Sequence, residues 1–227
     1  MKIGGLQKCS LIDYPGQISA IVFTMGCNFH CPYCHNPELV NETSPEISEE
    51  EIFNFLERRK NILDAVTITG GEPTLHEDLI PFIRKIKAMG FLVKLDSNGT
   101  HPDIIEQVQK DALVDYIAMD IKAPLSKYSA TVARPIDIEN IKKSITLLIQ
   151  GPVAYEFRTT VVKTLLSPDD IAQIGESIHG ARTYYLQKFV PTKTLNPAFL
   201  RKTTYSDDEF EHMKTVMLEH VDECYIR

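Results

Sequence analysis

Ala65-Val66-Thr67-Ile68-Thr69 is a short apolar, β-branched run that stops at Gly70-Gly71-Glu72-Pro73. Helical periodicity follows over 77–89, and residues 91–95 are again apolar and β-branched. A buried strand, a loop, a helix and a second buried strand make a parallel β/α/β unit with a right-handed crossover. The same order extends both ways. One strand is predicted upstream at 18–24 and three downstream at 116–121, 154–162 and 183–189, with helices at about 48–60, 102–110, 137–150, 168–180 and 206–220. Helix starts are marked by Ser48 with Glu51 as a capping box and by Ser167-Pro168 with Asp170. Six strands separated by helices define an α/β fold, and six units suit an open, partial (β/α)6 TIM-like barrel better than a closed eight-stranded one. Residues 1–17 are read as an N-terminal extension, 18–190 as the barrel and 191–227 as a C-terminal extension of a single domain.

A chain of 227 residues without a Pro/Ser-rich linker is long enough for one sizeable core. Its net charge of -7, with the signs interspersed, argues against a nucleic-acid partner. The first residues lack the apolar core of a signal peptide, and nowhere do about 18 apolar residues run together. The expectation is a cytoplasmic protein with no membrane partner. Five cysteines, an odd number, speak against a disulfide framework, and three of them crowd together, which points to metal binding.

In parallel β/α folds the loops at the carboxyl ends of the strands build the site. Four polar clusters fall there: Cys27-Asn28-Phe29-His30-Cys31-Pro32-Tyr33-Cys34, then Gly70-Gly71-Glu72-Pro73, Asp96-Ser97-Asn98-Gly99, and Asp120-Ile121-Lys122. Three thiols so spaced can turn toward one point. Structural zinc wants four ligands, which His30 or His35 could complete, whereas a cubane iron–sulfur cluster on three thiolates keeps one iron open to a small molecule. Gly70 and Gly71 let the backbone approach a ligand, and Pro73 holds Glu72 extended. Asp96 and Asp120 end neighbouring strands and repel unless something positive sits between them. Lys122 points to the same side as Asp120, and Arg158, inside an apolar strand, should meet an anion in the barrel. His35 with Asn36 directly follows the last thiol and is read as contacting the ligand or capping the next turn. Cys9 and Cys224 read as free thiols, and His76, His101 and His212 as surface residues.

The pattern CxxxCxxC with Tyr33 before the last cysteine resembles the radical S-adenosylmethionine (radical SAM) signature, and Gly70-Gly71-Glu72-Pro73 and Asp96-Ser97-Asn98-Gly99 resemble that superfamily's GGEP and D-[ST]-N-G segments. The resemblance implies a 4Fe-4S cluster on Cys27, Cys31 and Cys34. It implies S-adenosylmethionine on the open iron, with its amino group at the GGEP loop, its ribose near Asp96, Ser97 and Asn98, and Tyr33 under the adenine. It further implies reductive cleavage to methionine and a 5'-deoxyadenosyl radical, and a monovalent cation at Asp96, Asp120 and the Ala118 carbonyl. Lys8-Cys9-Ser10-Leu11-Ile12-Asp13-Tyr14-Pro15-Gly16 and Cys34-His35-Asn36-Pro37-Glu38-Leu39 are similar to the anaerobic ribonucleoside-triphosphate reductase activating proteins. That likeness implies a glycyl-radical protein as substrate and a one-electron donor such as flavodoxin or ferredoxin. Two other readings are a small-molecule radical SAM enzyme of the deazapurine-synthase kind, and a non-catalytic iron–sulfur or zinc protein, which would need neither the GGEP nor the DSNG loop.

Overall fold

The structure, a computed structural model, describes residues 1–227. Eight strands form one sheet in chain order: β1 Ile3–Ser10, β2 Ser19–Thr24, β3 Ala65–Gly70, β4 Leu92–Ser97, β5 Tyr116–Asp120, β6 Ala154–Val161, β7 Ala181–Lys188 and β8 Val221–Ile226. Each pair from β2 to β8 is parallel, whereas β1 runs antiparallel to β2. No pairing joins β1 to β8, so the curled sheet is a partial barrel open on one side.

Strands β2 to β7 are the six expected ones. The other two fall in stretches read as extensions, so the expectation of six strands is corrected to eight. Ile-Gly-Gly-Leu-Gln-Lys-Cys-Ser has no period-two pattern, and Val-Asp-Glu-Cys-Tyr-Ile buries only Val221 and Cys224. Both are edge strands, where the pairing partner decides the conformation more than the side chains do.

The helices are α1 Pro37–Val40, α2 Glu49–Glu57, α3 Leu79–Ala88, α4 Pro102–Lys110, α5 Tyr128–Val132, α6 Ile138–Gln150, α7 Pro168–Ser177 and α8 Asp207–Met217. Ser48 and Ser167 cap α2 and α7 with reciprocal bonds to Glu51 and Asp170. In α3 the buried residues Leu79, Phe82, Ile83 and Ile86 recur at helical spacing, forming one apolar stripe against the sheet. Each such side chain contributes roughly 1.5–3 kcal/mol on burial. The strands sort their side chains the same way. Val66 and Ile68, like Val93 and Leu95, join the core under the helices, while Thr69 and Asp96 line the barrel's interior. This alternation lines the lumen with polar groups, and the parallel register sets their levels.

Candidate active site

The loops at the carboxyl ends of the strands enclose a cavity of about 490 Å³. Its walls include all three clustered thiols, Tyr33, His35, Gly70, Gly71, Glu72, Asp96, Ser97, Asn98, Asp120, Lys122 and Arg158. Of the residues expected to hold the cluster or cofactor, only Pro73, which is buried at the start of a 3-10 turn, is not on the wall; His30 and Ala118, offered for a zinc or a cation, are not on it either.

The cysteine loop is held from both sides. The His30 amide donates to the Val132 carbonyl at 2.9 Å, and Phe29 packs edge-on to Tyr128. On the other flank, the amides of Leu195 and Asn196 donate to the carbonyls of Cys34 and Pro32, each at 2.9 Å. His35 Nε2 meets the Val190 carbonyl at 2.8 Å and its ring packs on Phe189, so its side chain ties the loop to the exit of β7. Burial pushes the Cys27 thiol up to about 12, with the Glu72 carboxyl adding to it, and the Cys31 thiol up to about 11 against the pull of Lys122. Buried thiols of this kind ionise only when a cation, such as a metal, compensates the charge. The Tyr33 hydroxyl is buried without a hydrogen-bond partner.

The glycine loop lies against the cysteine loop. The Gly71 amide donates to Thr24 O at 2.9 Å and the Glu72 amide to Gly26 O at 2.8 Å. A Cβ on Gly71 would come within 2.0 Å of Gly26 O, and Gly70 has φ +118°, so neither position admits a side chain. The Glu72 side chain turns inward as a brace. Oε1 accepts from the Thr74 amide and hydroxyl at 3.1 and 2.6 Å and from Ser97 Oγ at 2.9 Å, while Oε2 accepts from the Asn98 amide at 2.6 Å. Burial still raises its pKa against these bonds. Asn28, not singled out from the sequence, links the cysteine loop to this brace through Asn98 and Thr100.

Below the rim lies a ladder of charge. Asp120 and Arg158 stand at one level of β5 and β6, and Asp96, Ala118 and Glu156 at another across β4 to β6. Arg158 Nε donates to Asp120 Oδ1 at 2.6 Å, and its NH2 to Asp96 Oδ2 at 2.9 Å. Lys94 Nζ donates to Asp96 Oδ1 at 2.6 Å and Lys122 Nζ to Asp120 Oδ2 at 3.0 Å. Burial opposes ionisation of both aspartates, yet Arg158 and the flanking lysines hold their carboxyls below the usual range. The positive charge expected between them is thus Arg158. All four carboxylate oxygens already accept from a cationic nitrogen, so this donor set does not fit an additional monovalent cation. Three further groups were missed: Lys94, only 2 % exposed, Glu156, and Arg227, whose NH1 is 3.3 Å from Glu156 Oε1. For two of them the signal was period-two spacing, since Lys94 precedes Asp96 by two residues and Glu156 precedes Arg158 by two, whereas Arg227 had none.

His76 and His101 are half-buried braces rather than surface residues. His76 Nε2 meets Met25 O at 2.9 Å, and His101 Nδ1 meets Thr74 and Thr100 hydroxyls at 3.1 Å. Cys9 is exposed and Cys224 buried, and neither is disulfide-bonded. No helix is long and apolar enough to cross a membrane.

Three thiols and a glycine loop meet at the rim of an open, largely parallel barrel, and the chain belongs to the radical SAM superfamily, whose family model matches residues 21–178. Within it, the chain belongs with the glycyl-radical enzyme activating enzymes. It is 36 % identical over 230 residues to a protein of Methanocaldococcus jannaschii provisionally named a glycyl-radical enzyme activating enzyme, covering 99 % of this chain and 95 % of that one. It is 35 % identical over 132 residues to a pyruvate formate-lyase-activating enzyme of Listeria monocytogenes, a match that spans 53 % of each chain. Among solved structures, QueE from Escherichia coli has the same fold, with a TM-score of 0.55 at 15 % identity over 100 % of this chain and 93 % of that one. Membership implies a 4Fe-4S cluster and S-adenosylmethionine as cofactors.

Proposed function

We propose that this enzyme generates a glycyl radical on a large partner protein, the anaerobic ribonucleoside-triphosphate reductase, taking its electrons from a small one-electron donor such as flavodoxin or ferredoxin. The observation that carries the reading is the joining of the activase-like segments 8–16 and 34–39 at one cavity. It runs from the three thiols to Asp13, beside β1, and to Gln187 and Lys188 at the end of β7. The edge strands β1 and β8 are not paired with each other, so a flexible polypeptide loop has a way in between them.

Cys27, Cys31 and Cys34 would hold the cluster, since they are the three thiols on the cavity wall. When bound, the cluster and S-adenosylmethionine supply a 5'-deoxyadenosyl radical that takes a hydrogen atom from the target glycine. The protein's own part is position, charge and exclusion of water. The ladder holds Asp96, Asp120 and Glu156 against Lys94, Lys122, Arg158 and Arg227, an excess of one positive charge when all are ionised. That excess suits the methionine carboxylate of S-adenosylmethionine, with Arg158 and Lys122 on the cavity wall to receive it. Gly70 and Gly71 offer backbone in place of side chains to its amino group, and Ser97, Asn98 and Tyr33, also on the cavity wall, would meet its ribose and adenine.

The test is to mix the iron-loaded protein with S-adenosylmethionine, reductant and the reductase carrying deuterated glycine. A glycyl radical in the paramagnetic resonance spectrum and deuterium in 5'-deoxyadenosine are expected. Cleavage of S-adenosylmethionine without a radical on any glycyl-radical protein of the same cell would overturn the target assignment and leave the superfamily chemistry standing.

A further inference from the structure

Two segments clasp the cysteine loop through backbone bonds: the turn around α5, through Val132, and the stretch beyond β7, through Leu195 and Asn196. Both are basic in an otherwise acidic chain. Between Asp120 and Asp137 there is no acidic residue, only Lys122, Lys127 and Arg134. Between Glu176 and Asp207 there is again none, against Arg182, Lys188, Lys193, Arg201 and Lys202. The whole chain nonetheless carries a net charge of -7. Some of these cations are already paired, Lys127 with Asp170 and Lys193 with Glu38. Arg134 and Arg201 are exposed, Lys202 is partly so, and none of the three has an ion-pair partner. On the same stretch beyond β7, Val190 and Leu200 expose 56 % and 45 % of their surface.

From this we infer that the outer face of the cysteine loop is the docking surface for a small acidic redox protein, with Val190 and Leu200 as its apolar part and Arg134, Arg201 and Lys202 as its charged rim. The inference rests on the activase reading above, since it concerns where the reducing electron enters. An acidic partner meets repulsion from a net charge of -7 and attraction at these two segments, which both speeds its approach and orients it. A few apolar residues with a charged rim suit the small, short-lived interfaces of electron-transfer pairs. Position suits it too. The segments that carry the charge are hydrogen-bonded directly to the thiol-bearing loop, so a docked donor stands at that loop without entering the cavity where S-adenosylmethionine and the glycine loop belong. In the transfer, one electron leaves the reduced donor and enters the cluster, so the donor is oxidised by one electron, the cluster is reduced by one, and no bond is made or broken.

The experiment compares the iron-loaded wild type with the triple variant Arg134→Glu, Arg201→Glu, Lys202→Glu and, separately, with Leu200→Ser. Binding of oxidised flavodoxin is measured by titration calorimetry at low and high ionic strength, and S-adenosylmethionine cleavage is followed with either photoreduced flavodoxin or dithionite as reductant. The triple variant is expected to bind flavodoxin at least about tenfold more weakly, to lose the salt dependence of binding, and to slow flavodoxin-driven cleavage to a similar degree. Leu200→Ser is expected to weaken binding with its salt dependence intact. Both variants should match the wild type with dithionite. Unchanged flavodoxin binding in the triple variant overturns the docking surface. So does a variant that keeps its flavodoxin rate but fails to form a glycyl radical on the reductase, because the collar would then belong to the substrate protein. If the wild type cleaves nothing even with dithionite, it is the activase reading that fails.

Discussion

Arg158 on β6 lies at the same level as Asp120 on β5, its Nε 2.6 Å from the aspartate Oδ1, and its NH2 reaches Asp96 on the next strand. One guanidinium thus binds the carboxyl ends of three consecutive strands together. Replacing it with Met removes the bridge and leaves each carboxylate with one lysine, so the cost should fall below the roughly 3–5 kcal/mol of a fully unpaired buried charge. Arg158→Met should lower the thermal midpoint and weaken S-adenosylmethionine binding by at least about tenfold while iron content stays at wild-type level. Arg158→Lys should recover only part of this, because one ammonium lacks the planar fork that spans both carboxylates. Wild-type affinity in Arg158→Met, measured by equilibrium binding, would remove the arginine from the cofactor site.

Because every oxygen of Asp96 and Asp120 is taken by Arg158, Lys94 or Lys122, no vacancy remains for a metal cation. Cleavage of S-adenosylmethionine should therefore run at the same rate, within about twofold, in sodium, potassium or choline chloride at one ionic strength. Strong activation by one alkali ion would show that the ladder rearranges to admit it.

The buried thiols give the iron-free protein a distinctive alkaline behaviour. Cys27 and Cys31 are raised to about 12 and about 11 in the fold, against about 8.5 in an unfolded chain. Their neutral form is thus favoured by folding. The associated stability is fully present below the unfolded value and is lost as pH rises through the folded one, at roughly 1.4 kcal/mol per pH unit for each thiol. Urea unfolding of iron-free protein should show falling stability above about pH 8.5, and the fall should shrink in Cys27→Ala, Cys31→Ala. The depressed carboxyls of Asp96 and Asp120 act at the other end of the scale, losing their contribution only below about pH 4. A flat profile between pH 8 and 10 would mean that the thiols are less buried than their surroundings imply.

The sequence by itself determined the repeated β/α unit, because a strand buried on one face and a helix with one apolar stripe each leave a local period that needs no partner to be read. It also placed the candidate site, since Cys27 to Cys34, Gly70 to Pro73, Asp96 to Gly99 and Asp120 to Lys122 all end or follow strands, and parallel strands bring their carboxyl ends to one rim. Edge strands β1 and β8 left no such period, and only pairing with β2 and β7 makes them strands. Tertiary structure alone decided what each polar group meets. Asp96, Asp120 and Arg158 lie on three strands separated by helices, and whether Arg158 comes level with Asp120 or one residue above it depends on inter-strand register. The Glu72 motif by itself says nothing of Ser97 and Asn98, which reach its carboxylate from the next loop. The stretch from Val190 to Asn196 lies more than 150 residues from the thiols it supports. Contacts across such separations follow from how the whole sheet curls, because the curl carries the end of β7 round to the loop that follows β2.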